Sequence, residues 1–191
     1  MSAQASRQAL QQRVATTILD GAARLFAEQG EQANMNDVAE AAGVARATVY
    51  RYFPNRQALL EELARTAVDQ AEERLGAARI DEVSPEEGVA RAVRALVDVG
   101  DLFVLLARDR VRSDPQRFER RIALPLSELF ERGQAGGDFR GDIASSRLTE
   151  SLIALVTGVL VSSPLLGKED IIATITGLFL DGARARGPRA V

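Results

Sequence analysis

Residues 34–53, NMNDVAEAAGVARATVYRYF, decide how this chain is read. Asn34 is a good helix N-cap, and Asp37 three residues later completes a capping-box-like pair, with Asp in place of the usual Glu. The pattern predicts a helix over about Met35–Ala42, a break at Gly43, and a second helix over about Ala45–Tyr52 that ends before Pro54. Two short helices that cross steeply over a tight turn need a small residue on the first, and Ala39 supplies it. The turn needs a residue that accepts positive φ, and Gly43 supplies that. Val38, Val44 and Val49 then fill the wedge between the helices. A helix-turn-helix meets all of these demands at once, and an arbitrary helical hairpin has no reason to.

The face this motif leaves outward is rich in donors. Arg46, Thr48, Tyr50 and Arg51 lie along the second helix, and Val44–Arg56 holds Arg46, Arg51 and Arg56 without one acid. Arginine can bond bidentately to guanine O6 and N7, while hydroxyls reach phosphates or base edges. Arg56, opening the next helix, is a candidate phosphate clamp. So are the backbone N–H groups that follow Asn34, at Met35 and beyond. The bland alternative is a solvated arginine-rich face. The steric pattern and the absence of acids favour DNA.

Working outward, residues 1–12 read as a flexible polar arm. From Arg13, the stripe Val14, Ile18, Ala22, Leu25 and Phe26 marks a helix that Gly30 stops. Asn55 caps a long fourth helix with the stripe Leu60, Leu63, Ala67, Ala71 and Leu75. Ser84-Pro85-Glu86-Glu87 and Asp114-Pro115 are helix starts. Pro125 falls inside the second of these helices and predicts a kink or a tight contact. Gly133–Gly141 reads as a glycine-rich loop, and two final helices follow, about Ser145–Val161 and Lys168–Ala185. The fold class is all-α: a helix-turn-helix domain at 13–56, joined by a long helix to a helical bundle at 57–191.

Composition narrows the chemistry. The 191 residues contain no Cys and no His, which removes disulfides, thiol nucleophiles, zinc-finger ligation and histidine acid–base catalysis. No catalytic residue, metal site or cofactor is expected, and an enzyme is not. The net charge is −3, yet residues 1–56 carry six Arg against five acids, so the positive charge is local. The start lacks an apolar h-region and the longest apolar stretches are too short to span a bilayer, so the expected location is the cytoplasm.

Ile18–Leu60 resembles the N-terminal domain of the tetracycline-repressor (TetR) family. The pieces that carry the resemblance are AARLFAEQG, DVAEAAGV, TVYRYF and the P-N-R-x-A-L-L that follows. The resemblance implies a homodimeric regulator, usually a repressor, with a divergent C-terminal domain that binds small molecules. It implies phosphate-contacting or helix-positioning roles for Thr48, Tyr50 and Tyr52, base or backbone reading by Arg46, Ala47 and Arg51, and phosphate contact by Arg56. It also places Arg13 and Thr17 near the DNA backbone. The sequence departs from the family at Ala45, where a Ser or Thr cap is usual, at Arg46 for Lys, at Ala47 for Gly, and at Ala33-Asn34 for two hydroxyl residues.

A twofold dimer reading a near-palindromic operator is therefore expected. The last two helices are apolar nearly all round, and Ile153, Val156, Leu160, Ile172, Ile175 and Phe179 are either interface or internal core. Asp101 is either a boundary residue or a polar anchor in an effector cavity. Phe103, Phe118, Phe130 and Thr157 are either its walls or plain core. The expected function is an effector-released repressor. The alternative is an effector-independent silencer or architectural protein.

Overall fold

The computed structural model describes residues 2–29, 32–100, 102, 104, 114–162 and 166–185. Among them lie α1 (Ser2–Gln29), α2 (Met35–Ala41), α3 (Arg46–Tyr52), α4 (Arg56–Ala78), α5 (Pro85–Asp98) and α6 (Pro115–Phe118). A π-helical turn (Glu119–Ala123) leads into α7 (Leu124–Gly136), followed by α8 (Ser145–Ser162) and α9 (Lys168–Ala183). The fold is all-α. Among the described residues, no helix is long and apolar enough to cross a membrane.

The chain divides into two compact units, residues 1–66 with 101–112, and residues 67–100 with 113–191. The boundary expected at 56/57 falls ten residues later. The reason is that Leu59, Leu60 and Leu63, at the start of α4, belong to the first unit's core.

In the first unit, Ile18, Ala22 and Phe26 of α1 pack with Val38, Val49, Leu59 and Leu63. Helix α1 begins at Ser2, although the sequence pattern predicts a flexible arm over residues 1–12. Residues 2–12 are mostly Ala, Gln, Arg, Leu and Ser without Gly or Pro, so they favour helix although they carry no apolar stripe. Gly21 has a tertiary purpose. A Cβ there would stand 2.9 Å from the Ala42 nitrogen and 3.1 Å from the Ala42 Cβ, so α1 meets the end of α2 backbone to backbone.

The second unit is built on α5, α7, α8 and α9. Val89, Val93, Ile122, Leu126, Leu152 and Ile175 are fully buried. Phe130 sits between Phe139 and Phe179, with ring centroids 5.6 and 5.4 Å away. The start signals hold: the Ser84 Oγ accepts from Glu87 N, and an Asp114 carboxylate oxygen accepts from Gln116 N at 2.9 Å. Pro125 produces the predicted distortion in a particular form. It has no N–H to give the preceding turn, and the helix widens just before it, where the Leu124 N–H bonds the Glu119 carbonyl five residues back. Arg117 pairs with Asp69, and Arg121 with Glu72, so α6 and the widened turn that follows it are both tied to α4.

The expected glycine-rich loop is half helix. Helix α7 runs to Gly136 and ends where Gly137 takes φ +82°. Gly133 is buried, and a Cβ there would run into the Phe139 ring, so its role is close packing and not a break. Two bidentate pairs close this unit. Arg94 donates to Glu169 at 2.6 and 2.7 Å, and Arg184 to Glu86 at 2.7 and 3.0 Å. The Arg184 hydrogen bonds hold the Glu86 carboxyl below its usual range, and those from Arg94 do the same for Glu169.

Candidate nucleic-acid interface

The geometry of the helix-turn-helix follows from three local devices. Asn34 closes the capping box: its Oδ1 accepts from Asp37 N at 3.4 Å and from Asn36 N at 2.8 Å, and the Asp37 carboxylate accepts from Asn34 N at 2.9 Å. At the other end of α2, Gly43 adopts φ +64°. There the Val44 N–H bonds the Ala39 carbonyl and the Gly43 N–H bonds the Glu40 carbonyl, each at 3.0 Å. That crossed pair is a Schellman motif, which ends a helix and turns the chain sharply. The third device is Val49, fully buried, which pins α3 to the core through the middle of its inner face.

With Val49 inward, the outer face of α3 is fixed. Arg46, Ala47, Tyr50 and Arg51 are exposed, while Thr48 and Tyr52 are half-buried. The Arg46 guanidinium carbon lies 5.4 Å from the centre of the Tyr50 ring, and that of Arg51 lies 5.4 Å from the Tyr52 ring. Ala45 makes no side-chain cap, as its methyl group dictates. Asn55 caps α4, its Oδ1 accepting from Ala58 N at 2.8 Å.

The remaining candidates divide. Arg13 and Thr17 are exposed on α1, and the Thr17 hydroxyl is committed to the Arg13 carbonyl at 2.9 Å. The Met35 side chain is 7% exposed and belongs to the core, so only its backbone faces outward. The capping box already uses the N–H groups of Asn36 and Asp37 and sets the Asp37 carboxylate at that end. The N-terminus of α2 therefore offers a phosphate less than the sequence suggested. Arg56 is half-buried with its guanidinium carbon 4.8 Å from the Phe26 ring centre, so it also packs against the core. Phe26 is thus a supporting residue that sequence reading had placed only in the core.

Of the effector candidates, Asp101 and Phe103 lie outside the described residues. Phe118 and Thr157 are half-buried, and Phe130 is enclosed by aromatic rings. A cleft of about 310 Å³ opens elsewhere in the second unit, lined by Leu75, Ile80, Pro125 and Leu129 with Arg120 and Arg132. Of the interface candidates, Val156, Ile172, Ile175 and Phe179 are buried within the unit itself. Ile153 is half-buried, and so is Leu160, which packs on Gly100. The apolar count around these helices could not say which face turns inward. The outward face carries Ala154 and Gly158 on α8, and Ala173, Gly177 and Leu178 on α9. Leu178 is 60% exposed.

Comparison with known proteins meets the same part of the chain. Residues 18–63 match the family described as bacterial regulatory proteins, tetR family. The HTH-type transcriptional regulator NfxB of Pseudomonas aeruginosa is 31% identical over 163 residues, 80% of this chain and 85% of NfxB. The HTH-type transcriptional repressor LfrR of Mycolicibacterium smegmatis is 33% identical over 111 residues, 55% of this chain and 56% of that repressor. The solved structure of LfrR in complex with proflavine covers 92% of this chain and 99% of its own, at a TM-score of 0.71 and 22% identity. AibR in complex with isovaleryl coenzyme A and operator DNA covers 86% and 97%, at a TM-score of 0.68 and 20% identity. The matched stretch is the unit in which capping box, glycine turn and arginine face were found, and the likeness to NfxB continues through most of the second unit. The chain belongs to the TetR family of bacterial regulatory proteins.

Proposed function

We propose that this protein is a transcriptional repressor that binds a near-palindromic operator as a homodimer and leaves it when a small molecule binds. The observation that carries the reading is the outward face of α3. A buried Val49 and a Schellman turn at Gly43 present Arg46, Tyr50 and Arg51 on one exposed strip. No acid falls between Val44 and Arg56. Such a strip is chemically suited to base edges in a major groove and to the flanking phosphates. One seven-residue helix is too short for tight, selective binding, so two copies related by a twofold axis are required. The exposed face of α8 and α9, with Leu178 and the open glycines Gly158 and Gly177, suits close helix packing between copies.

Release is a population shift. An effector that binds better to a form with its two recognition helices at the wrong separation lowers operator affinity by the same factor that DNA lowers effector affinity. Relatives support an effector: LfrR has been solved with proflavine, and AibR with isovaleryl coenzyme A. The cleft beside Pro125 falls at the lower end of the roughly 300–1,000 Å³ of small-molecule pockets.

The test is duplex binding across a salt series, followed by titration with small molecules. Affinity falling steeply and linearly on a log–log plot supports the reading. Failure to bind duplex at low salt removes it. Tight ligands that never change the affinity for DNA remove the release step alone.

A further inference from the structure

We propose that Tyr50 acts on DNA recognition through its ring, as the platform that holds Arg46 in position to read a base pair. This rests on the DNA-binding reading above. Arg46 and Tyr50 are four residues apart, one turn of α3, so their side chains share a face. The guanidinium carbon lies 5.4 Å from the ring centre, within cation–π range, and both residues are exposed. Among the described residues, no hydrogen bond or ion pair holds Arg46, and Ala45 and Ala47 beside it are too short to do so. Among the described residues, the ring is the one group that restrains it.

Stacking also has the right geometry for the task. A ring that holds the guanidinium by its flat face leaves its edge, where every N–H lies, available. Bidentate recognition of guanine uses that edge. A free arginine would have to surrender its rotamer freedom on binding, and a stacked one has surrendered part of it already. The resemblance to the TetR family suggests a phosphate-contacting or helix-positioning role for Tyr50. The stack needs the ring alone.

The two roles separate experimentally. DNA sites are recovered from a random duplex pool, and every single-base variant of one half-site is measured with wild type, Arg46→Ala, Tyr50→Phe, Tyr50→Leu and the Arg46→Ala/Tyr50→Leu double variant. Position 50 is exposed, and circular dichroism checks that each variant is folded. The base pair whose preference Arg46→Ala abolishes is the one Arg46 reads. At that pair, Tyr50→Leu is expected to lower the preference about two- to five-fold, the strength of an exposed cation–π contact. Tyr50→Phe is expected to keep it, and Tyr50→Leu to add nothing in the Arg46→Ala background. The proposal is overturned if Phe and Leu lower that preference alike, if the losses add, or if both variants weaken every sequence equally. A wild type that binds no duplex at all overturns the DNA-binding reading together with it.

Discussion

Replacing Gly21 by alanine should destabilise this protein, although helix propensity alone predicts the reverse. Gly21 lies inside α1, and there alanine is favoured over glycine by about 1 kcal/mol. Against this, the new Cβ would sit 2.9 Å from the Ala42 nitrogen and 3.0 Å from its Cα. Both are backbone atoms of the C-cap of α2, next to the Gly43 turn, and no side-chain rotation relieves them. Forcing one methyl group into such a contact costs about 1–3 kcal/mol. The net effect is a loss of up to about 2 kcal/mol, worth several degrees in melting temperature for a chain of this size. The strain falls on the α2–α3 turn, so operator affinity should fall as well. Gly76, inside α4, is the control. A Cβ there meets nothing within 4 Å, so Gly76→Ala should gain about 0.8–1 kcal/mol. Thermal and urea melts of both variants decide the matter. If Gly21→Ala is stabilised like Gly76→Ala, the close approach of α1 to α2 is wrong.

Three further outcomes follow from the same geometry. Arg51→Ala should reduce discrimination among operator variants, whereas Arg56→Ala should weaken binding to all of them about equally and lower the log–log salt slope by roughly 0.9. Because the Arg56 guanidinium lies over the Phe26 ring, its variant should also melt earlier, and equal specificity losses in both variants would refute the division. Leu178→Glu should shift the protein towards monomer in sedimentation without lowering helicity, and an unchanged dimer would remove the α8–α9 interface. On acidification, Glu86 and Glu169 have folded pKa values depressed by their arginine partners, so their contribution is present above the unfolded carboxylate pKa and is lost as pH falls through the folded value. The double variant Glu86→Gln/Glu169→Gln should flatten the acid side of the stability profile, and an unaltered profile would show that the pairs contribute nothing.

Much of the fold was legible because its signals are local. Asn34 with Asp37, Gly43, Asn55, Ser84-Pro85 and Asp114-Pro115 each act within a few residues, and the structure uses each as its chemistry requires. Pro125 announced a distortion, but the pattern could not tell a kink from a π-helical turn. The start of α1 was missed because periodicity detects only helices with an apolar side, and residues 5–13 are exposed. The stretch from Gly133 departs from the expected loop because this glycine is not a breaker: its purpose is to admit the Phe139 ring. Gly21 is the same lesson in the first unit: a close approach is a tertiary fact. At the candidate site, residue types and the exposed strip could be read from helical spacing. The contact of Arg56 with the Phe26 ring could not, since those residues are thirty apart in sequence.

In the proposed function the α3 strip reads DNA as one half of a twofold pair. Selection of bound duplexes from a random pool tests it most directly, run in parallel with wild type and an Arg46→Ala/Arg51→Ala variant. Wild type should enrich a near-palindrome whose half-sites are centred about 34–36 Å apart, or a multiple of that, and the variant should lose the enrichment. A wild-type pool without a shared sequence, a shared sequence without twofold symmetry, or the same palindrome enriched by the variant would contradict it.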